Sequence, residues 1–138
     1  MDWTLELVVV PVSDVDRAKA FYADAMGFSV DVDHSAGEDF RVVQMSPPGS
    51  ACSIALMKMT DPAPGTAAGL HLCVADIEAA HAELLGRGAP IGDYFHFSET
   101  GETPGLDPNR QDYGTFLHLT DPDGNRWLVQ EVSRGRRA

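Results

Sequence analysis

Val12-Ser13-Asp14-Val15-Asp16-Arg17-Ala18 is answered, 62 positions later, by Val74-Ala75-Asp76-Ile77-Glu78-Ala79-Ala80. In both stretches an apolar, β-rich run stops at a small residue, an aspartate follows, and apolar residues then recur at helical spacing. Farther on, Ser46-Pro47-Pro48-Gly49-Ser50 lies over Asp121-Pro122-Asp123-Gly124-Asn125, now at an offset of 75. The extra residues fall between these anchors, so the second copy carries an inserted loop at 98–113. A repeat of this size means two copies of one supersecondary unit, each too small to bury a sheet face alone.

Working outward from the first anchor, residues 5–12 predict a strand. Ser13 and Asp14 are good N-cap residues, and Ser13 with Asp16 resembles a capping box with a shorter acid. Val15, Ala18, Tyr22, Ala25 and Met26 give the helix its apolar face, and Gly27 is placed to end it. Strands are predicted at 28–33, 40–45 and 52–59, and the breaker-rich stretch 61–65 links the two copies. In the second copy residues 69–75 predict a strand, and Asp76 caps a helix whose apolar face is Ile77, Ala80, His81, Leu84 and Leu85. Gly88 closes that helix before Pro90. Strands follow at 91–97, 114–120 and 126–132. Each unit reads as βαβββ, giving eight strands and two helices: a first module at 4–60 and a second at 68–133 within a single domain of residues 1–138.

A chain of 138 residues with 43% hydrophobic content has enough apolar surface for one core. No run reaches the roughly 18 to 20 apolar residues that span a bilayer, and Met1-Asp2-Trp3 offers no basic n-region, which predicts a cytoplasmic protein. Cys52 and Cys73 are expected inside strands as reduced thiols, since neither has a Cys or His neighbour at metal-finger spacing. The net charge of −11 repels phosphate backbones and argues against nucleic acid and anionic membranes as partners. Arg134, Arg136 and Arg137 form the only basic cluster and read as a frayed tail. The acids Asp24, Glu38 and Asp39 are compatible with a cationic ligand.

The segment from Val12 through Phe21-Tyr22 to Met26-Gly27-Phe28, and the Asp121-Pro122-Asp123-Gly124-Asn125-Arg126-Trp127 turn before the last strand, resemble the vicinal oxygen chelate superfamily. That group includes glyoxalase I, bleomycin-resistance proteins, fosfomycin-resistance enzymes and extradiol dioxygenases. The resemblance covers nearly the whole chain and implies an α+β fold, two βαβββ modules with a curved mixed sheet around a cavity. In its metal-dependent members four side chains, usually His or Glu, converge from four strands on a divalent ion that chelates neighbouring substrate oxygens. Carried over to this sequence, the positions are Leu7, seven before Asp14; Leu70, six before Asp76; Leu128, four after Gly124; and Ser53 or Ala55 after Gly49. Three leucines and a small residue lack the lone pairs a divalent ion needs. A one-residue slip would bring Glu6, His71 or Trp127 to the cradle and turn the alternating apolar partners outward. No metal and no cofactor are expected.

On this reading the cradle is lined by Leu5, Leu7, Val9, Ser53, Ala55 and Met57 from the first copy. Leu70, Leu72, Leu128 and Gln130 come from the second. A mostly apolar concavity with a few polar points suits a small organic molecule; the competing reading of the same leucines is a closed core. His96 and His118, beside the inserted loop, are the candidate acid or base groups. His71 and His81 are expected to pack between sheet and helix, and His34 to lie in a surface loop. Trp127 and Trp3 read as core or interface aromatics. The loop brings Glu99, Glu102, Asp107, Arg110, Gln111 and Tyr113; loops beside a cavity often act as lids, and Arg110 suits an anionic group. No Ser-His-Asp spacing, phosphate-cradling glycine loop or nucleotide fingerprint is present. The expectation is a metal-free, bleomycin-resistance-like homodimer that sequesters a small, partly aromatic molecule. The alternative is a lyase, isomerase or dioxygenase with a displaced metal site, or a cofactor-free catalyst using His96 or His118.

Overall fold

A computed structural model describes residues 1–133; the Arg134, Arg136 and Arg137 cluster lies outside the described residues. The chain divides into two compact units, one of Met1–Ala67 with Asp121–Asn125, the other of Ala68–Thr120 with the chain from Arg126 on. Each has a mixed sheet and one helix, the α+β architecture expected of the repeat.

In the first unit, β1 (Leu7–Val12), β2 (Ser29–Ala36), β3 (Phe40–Ser46) and β4 (Ser53–Lys58) order as β1-β4-β3-β2. β1 and β4 run parallel, and the other neighbours antiparallel. The helix α1 (Val15–Ala20) passes into a π-helical turn over Phe21–Ala25, and Phe28 N–H donates to the Tyr22 carbonyl at 2.9 Å. Gly27, at φ +72°, makes the turn out of it, as the sequence anticipates. Val10, Val12, Val43, Met45, Ile54 and Leu56 face Val15, Ala18, Tyr22 and Ala25 to form a dry core. Each fully buried aliphatic there contributes about 1.5–3 kcal/mol.

The N-cap of α1 is Asp14, whose carboxylate accepts from Arg17 N–H at 3.1 Å. Ser13 does not cap the helix as a capping box would. Its backbone N–H and hydroxyl donate to Asp123 at 3.0 and 2.6 Å instead. Asp121 anchors the same turn: its buried carboxylate accepts from Tyr22 Oη, Asn125 Nδ2 and two backbone N–H groups.

The second unit orders β5 (Leu70–Val74), β6 (Phe95–Ser98), β7 (Gly101–Pro104), β8 (Thr115–Thr120) and β9 (Arg126–Glu131) as β5-β9-β8-β6-β7. The described residues hold nine strands rather than eight. The first part of the inserted segment reverses at Glu99-Thr100 and returns as β7 against β6. The strand expected at 91–97 shortens to β6, because Pro90 and Gly92 interrupt it and leave Ile91 as an isolated bridge to Leu119. Asp76 caps α2 (Ile77–Gly86) by accepting from Glu78 and Ala79 N–H. Ile77 and Leu84 pack onto a core of Leu117, Leu119, Trp127 and Val129, while Leu85 is exposed, beyond the edge of the apolar stripe. Cys52 precedes its strand, Cys73 lies within β5, and both are free and half-buried. No described helix is long and apolar enough to cross a membrane.

Candidate functional site

Period-two alternation gives each sheet one face under its helix and one open face. In the first unit Leu7 pairs with Ser53, Val9 with Ala55 and Pro11 with Met57, so these share the open face with Gln44 and Val42 of β3 and Val32 of β2. Ser53 and Ala55 are buried, Leu7 and Met57 half-buried, and Val9 is 42% exposed. Leu5, expected in the first strand, precedes β1 and is 67% exposed. Polar groups collect at one corner. Ser46 Oγ donates to the Asp31 carboxylate and lies 2.7 Å from Ser53 Oγ, while Gln44 donates to Glu6 at 3.0 Å. Sequence reading missed Ser46, Asp31 and Gln44. The alternation of β3 carried part of the signal, but a bulge between Val30 and Val32 hides the position of Asp31.

The open face of the second unit differs from expectation. Leu70 pairs with Trp127 and Leu72 with Val129, on the buried helix side. The residues beside Leu128 and Gln130 are His71 and Cys73, and Gln130 Nε2 donates to Cys73 Sγ at 3.3 Å. The constant repeat offset explains the correction. At 62 positions Val9 corresponds to His71 and Val10 to Leu72, so taking Leu70 as the partner of Leu7 shifts β5 by one residue and reverses every side chain. His71 is accordingly exposed rather than packed under the helix. Across β9, Leu128 pairs with His118 and Gln130 with Phe116, which in turn pairs with Phe95. Phe95, Phe97 and Phe116 pack with centroids 5.3–5.8 Å apart, a spacing of favourable aromatic contact.

The two candidate histidines lie on opposite faces. His96 pairs with buried Thr115 and donates from Nδ1 to the Gly105 carbonyl at 2.9 Å, fastening the inserted segment. A carbonyl only accepts, so Nδ1 carries the proton. His81 binds the Gly92 carbonyl at 3.0 Å in the same way, a structural role. His118 stacks on Phe95 with centroids 4.6 Å apart, and its Nε2 lies 3.2 Å from Glu102 Oε2. That imidazole is therefore oriented, exposed and on the aromatic face.

Arg110, expected to meet an anionic group, is already engaged. Its Nε and Nη2 donate to the two oxygens of Glu131 at 3.0 and 2.6 Å, and Nη1 donates to Glu78 at 3.1 Å. Glu131 is only 3% exposed and also accepts from Ile77 N–H. The guanidinium beside it holds its carboxyl below the ordinary value, and the carboxylate in turn raises the Arg110 pKa above its own. Tyr113 N–H donates to the Glu131 carbonyl, and its ring is exposed. Asp107 accepts from Gln111 N–H, and Asp107 N–H donates to Thr115 Oγ1, so the inserted segment, for which a lid role is one expectation, is held by hydrogen bonds around Asp107.

The donor set does not fit the superfamily's divalent ion. Of the positions the resemblance implies, the first unit offers Leu7 with Ser53 or Ala55 and the second Leu70 and Leu128, with His71 rather than Leu70 beside Leu128; no three His, Cys, Asp or Glu side chains among the described residues gather to hold a metal. Elsewhere in the first unit a cavity of about 370 Å³ lies beside the start of α1, ringed by Asp14, Asp16, Glu38 and Asp39 with Arg41 and Lys58. Arg41 is spent on Asp16 and Asp33. Asp24 is not part of that ring.

Residues 4–129 match the family model for the glyoxalase/bleomycin resistance protein/dioxygenase superfamily. Among solved structures, TnmS3, an antibiotic binding protein from Streptomyces sp. CB03234, is 30% identical, with 94% of this chain and 96% of that one covered and a TM-score of 0.73. A glyoxalase/bleomycin resistance protein from the same strain is 31% identical over 93% of this chain and 100% of its own, with a TM-score of 0.70. The YetH protein of Bacillus subtilis strain 168 is 25% identical, with 90% and 94% covered.

Proposed function

Because the chain belongs to the glyoxalase/bleomycin resistance protein/dioxygenase superfamily, we propose that it is a small-molecule-binding protein that sequesters its ligand without a metal. The observation that carries this is the chemistry of the open sheet faces. One is aliphatic with a hydroxyl corner, the other aromatic with imidazoles, and among the described residues neither offers three His, Cys, Asp or Glu side chains for an ion. Surfaces of this kind suit an organic molecule held by apolar contact and a few hydrogen bonds. The similarity to TnmS3, itself an antibiotic binding protein, supports the same reading.

The protein acts in the cytoplasm as a homodimer. Trp3, 86% exposed, and Leu5, two residues on and 67% exposed, are large apolar groups that water alone does not stabilise there. Trp3→Ser with Leu5→Ser is expected to shift the sedimentation mass from dimer to monomer.

Calorimetry and thermal melting with bleomycin and a panel of planar aromatic compounds test the central reading. A ligand at a hundredfold its Kd adds about 2.7 kcal/mol, several degrees of Tm in a chain of this size. No saturable binding and no shift with any of them overturns it. Stoichiometric metal in the purified protein overturns the metal-free part. A second reading, cofactor-free acid–base catalysis, is favoured only by the oriented His118–Glu102 pair. Recovery of a converted compound after long incubation selects it over sequestration.

A further inference from the structure

Resting on the small-molecule reading, we infer that the open face of the second unit takes an anionic aromatic group, its ring on the phenylalanines and its acid toward Arg126. The face is laid out in rows about 7 Å apart along the strands. Thr120 pairs with Arg126, the next row is His71, Leu128 and His118, and the row after that holds Cys73, Gln130, Phe116 and Phe95. Alternation therefore sets Arg126 on the same face as Leu128 and Gln130, and it is exposed. It forms no ion pair with a carboxylate among the described residues; the same holds for Lys58 of the first unit, whereas Arg17, Lys19, Arg41, Arg87 and Arg110 all form one.

Charge fixes the orientation. The far corner of the face carries Glu102, which pairs in register with Phe97 and binds His118. An anion is repelled from that corner and drawn to the Arg126 end. The ring then lies over Leu128, Phe116 and the His118–Phe95 stack, and His71, about 10 Å from His118 across Leu128, is the imidazole not bound to Glu102 and stands to meet its oxygens. The open face of the first unit has no such end. Its strand positions hold no lysine or arginine, and its polar corner contains Asp31 and Glu6. In a chain of net charge −11, the guanidinium of Arg126, one row from Leu128 and His118 and two from Phe116 and Phe95, is a place among the described residues where an aromatic anion is favoured by both its ring and its charge.

Hydroxynaphthoate and its neutral amide, titrated calorimetrically into the full chain, separate these contributions. The acid is expected to bind at least about tenfold tighter than the amide, a difference of about 1.4 kcal/mol. Arg126→Gln, a surface change expected to leave Tm alone, removes that preference, and Phe116→Ala weakens both compounds. Equal affinity for acid and amide, an unchanged acid affinity in Arg126→Gln, or failure of both naphthyl probes overturns the inference. If bleomycin or another aromatic of the panel still binds, the sequestration reading survives that failure; if nothing binds, both fall.

Discussion

The two compact units solve the same local problem with different groups. In each, an aspartate caps the helix and a second carboxylate meets the chain at its start. In the first unit Asp123 accepts from Ser13 N–H and Oγ and from Arg17. In the second, Glu131 accepts from Ile77 N–H and from Arg110, which reaches on to Glu78 in the first turn. Negative charge at a helix start is favourable in both cases. The open faces have diverged further: aliphatic with hydroxyls and carboxylates in one, aromatic with imidazoles and Arg126 in the other. The lesson is that the helix side of the repeat is held by packing, while the open side was free to change its chemistry.

The largest expected break in this comparison is at Asp121. Its carboxylate is 5% exposed and satisfies four donors, among them Tyr22 Oη at 2.8 Å. Asp121→Ala leaves those donors buried without an acceptor and is expected to destabilise the protein by about 3 kcal/mol, read as a fall in the urea midpoint. Gly65→Ala strikes the same turn from outside. A Cβ there stands 2.2 Å from the Asp123 carbonyl oxygen, at a φ of +82°, and is expected to cost about 2 kcal/mol. A midpoint unchanged in both variants refutes the anchoring role of the turn.

The carboxylate clamp of the second copy is sharpened by pH. Glu131 titrates below its ordinary value of 4.5 in the folded chain, so the unfolded chain binds its proton first as pH falls. The clamp's stabilisation is thus complete above about pH 5 and drains away below the ordinary carboxylate range. Arg110→Met should lower Tm by several degrees at pH 7 and by less at pH 3. An equal loss at both values means that the clamp is packing rather than charge.

The repeat was legible because its anchors, Asp14 against Asp76 and Pro48-Gly49 against Pro122-Asp123-Gly124, mark a cap and a turn whose chemistry is local. β7 was not, because Gly101-Glu102-Thr103-Pro104 has neither alternation nor β-branching beyond one residue and is a strand only through its pairing with β6. Leu7, Ser53, Val9 and Ala55 share one face of the first sheet as their alternation predicts, since β1 and β4 each alternate cleanly. That of the second was read one residue out at Leu70 and Leu72. In Leu70-His71-Leu72-Cys73 both faces carry apolar residues, so periodicity does not choose between them; only the constant offset from Val10 and Val12 does. The engagement of Arg110 was illegible for a different reason. Its partner Glu131 lies 21 positions away on the last strand, a pairing that no local pattern reveals.

The smallest effects decide whether the open faces are ligand surface or core. Val9 and Val10 are neighbours in β1, identical in chemistry and opposite in direction: Val10 is sealed under α1, and Val9 stands on the open face. Val10→Ala removes two methyl groups from a close-packed site and is expected to cost about 2 kcal/mol. Val9→Ser, and Phe97→Ser in the second copy, remove groups that water already reaches and should stay within about 0.5 kcal/mol. Ligand binding should respond in the reverse order, to the open-face changes and not to Val10 beyond its loss of fold. Should Val9→Ser lower the urea midpoint as far as Val10→Ala does, the face is closed core in solution, and an aliphatic surface kept open for a ligand is the wrong description of the first unit.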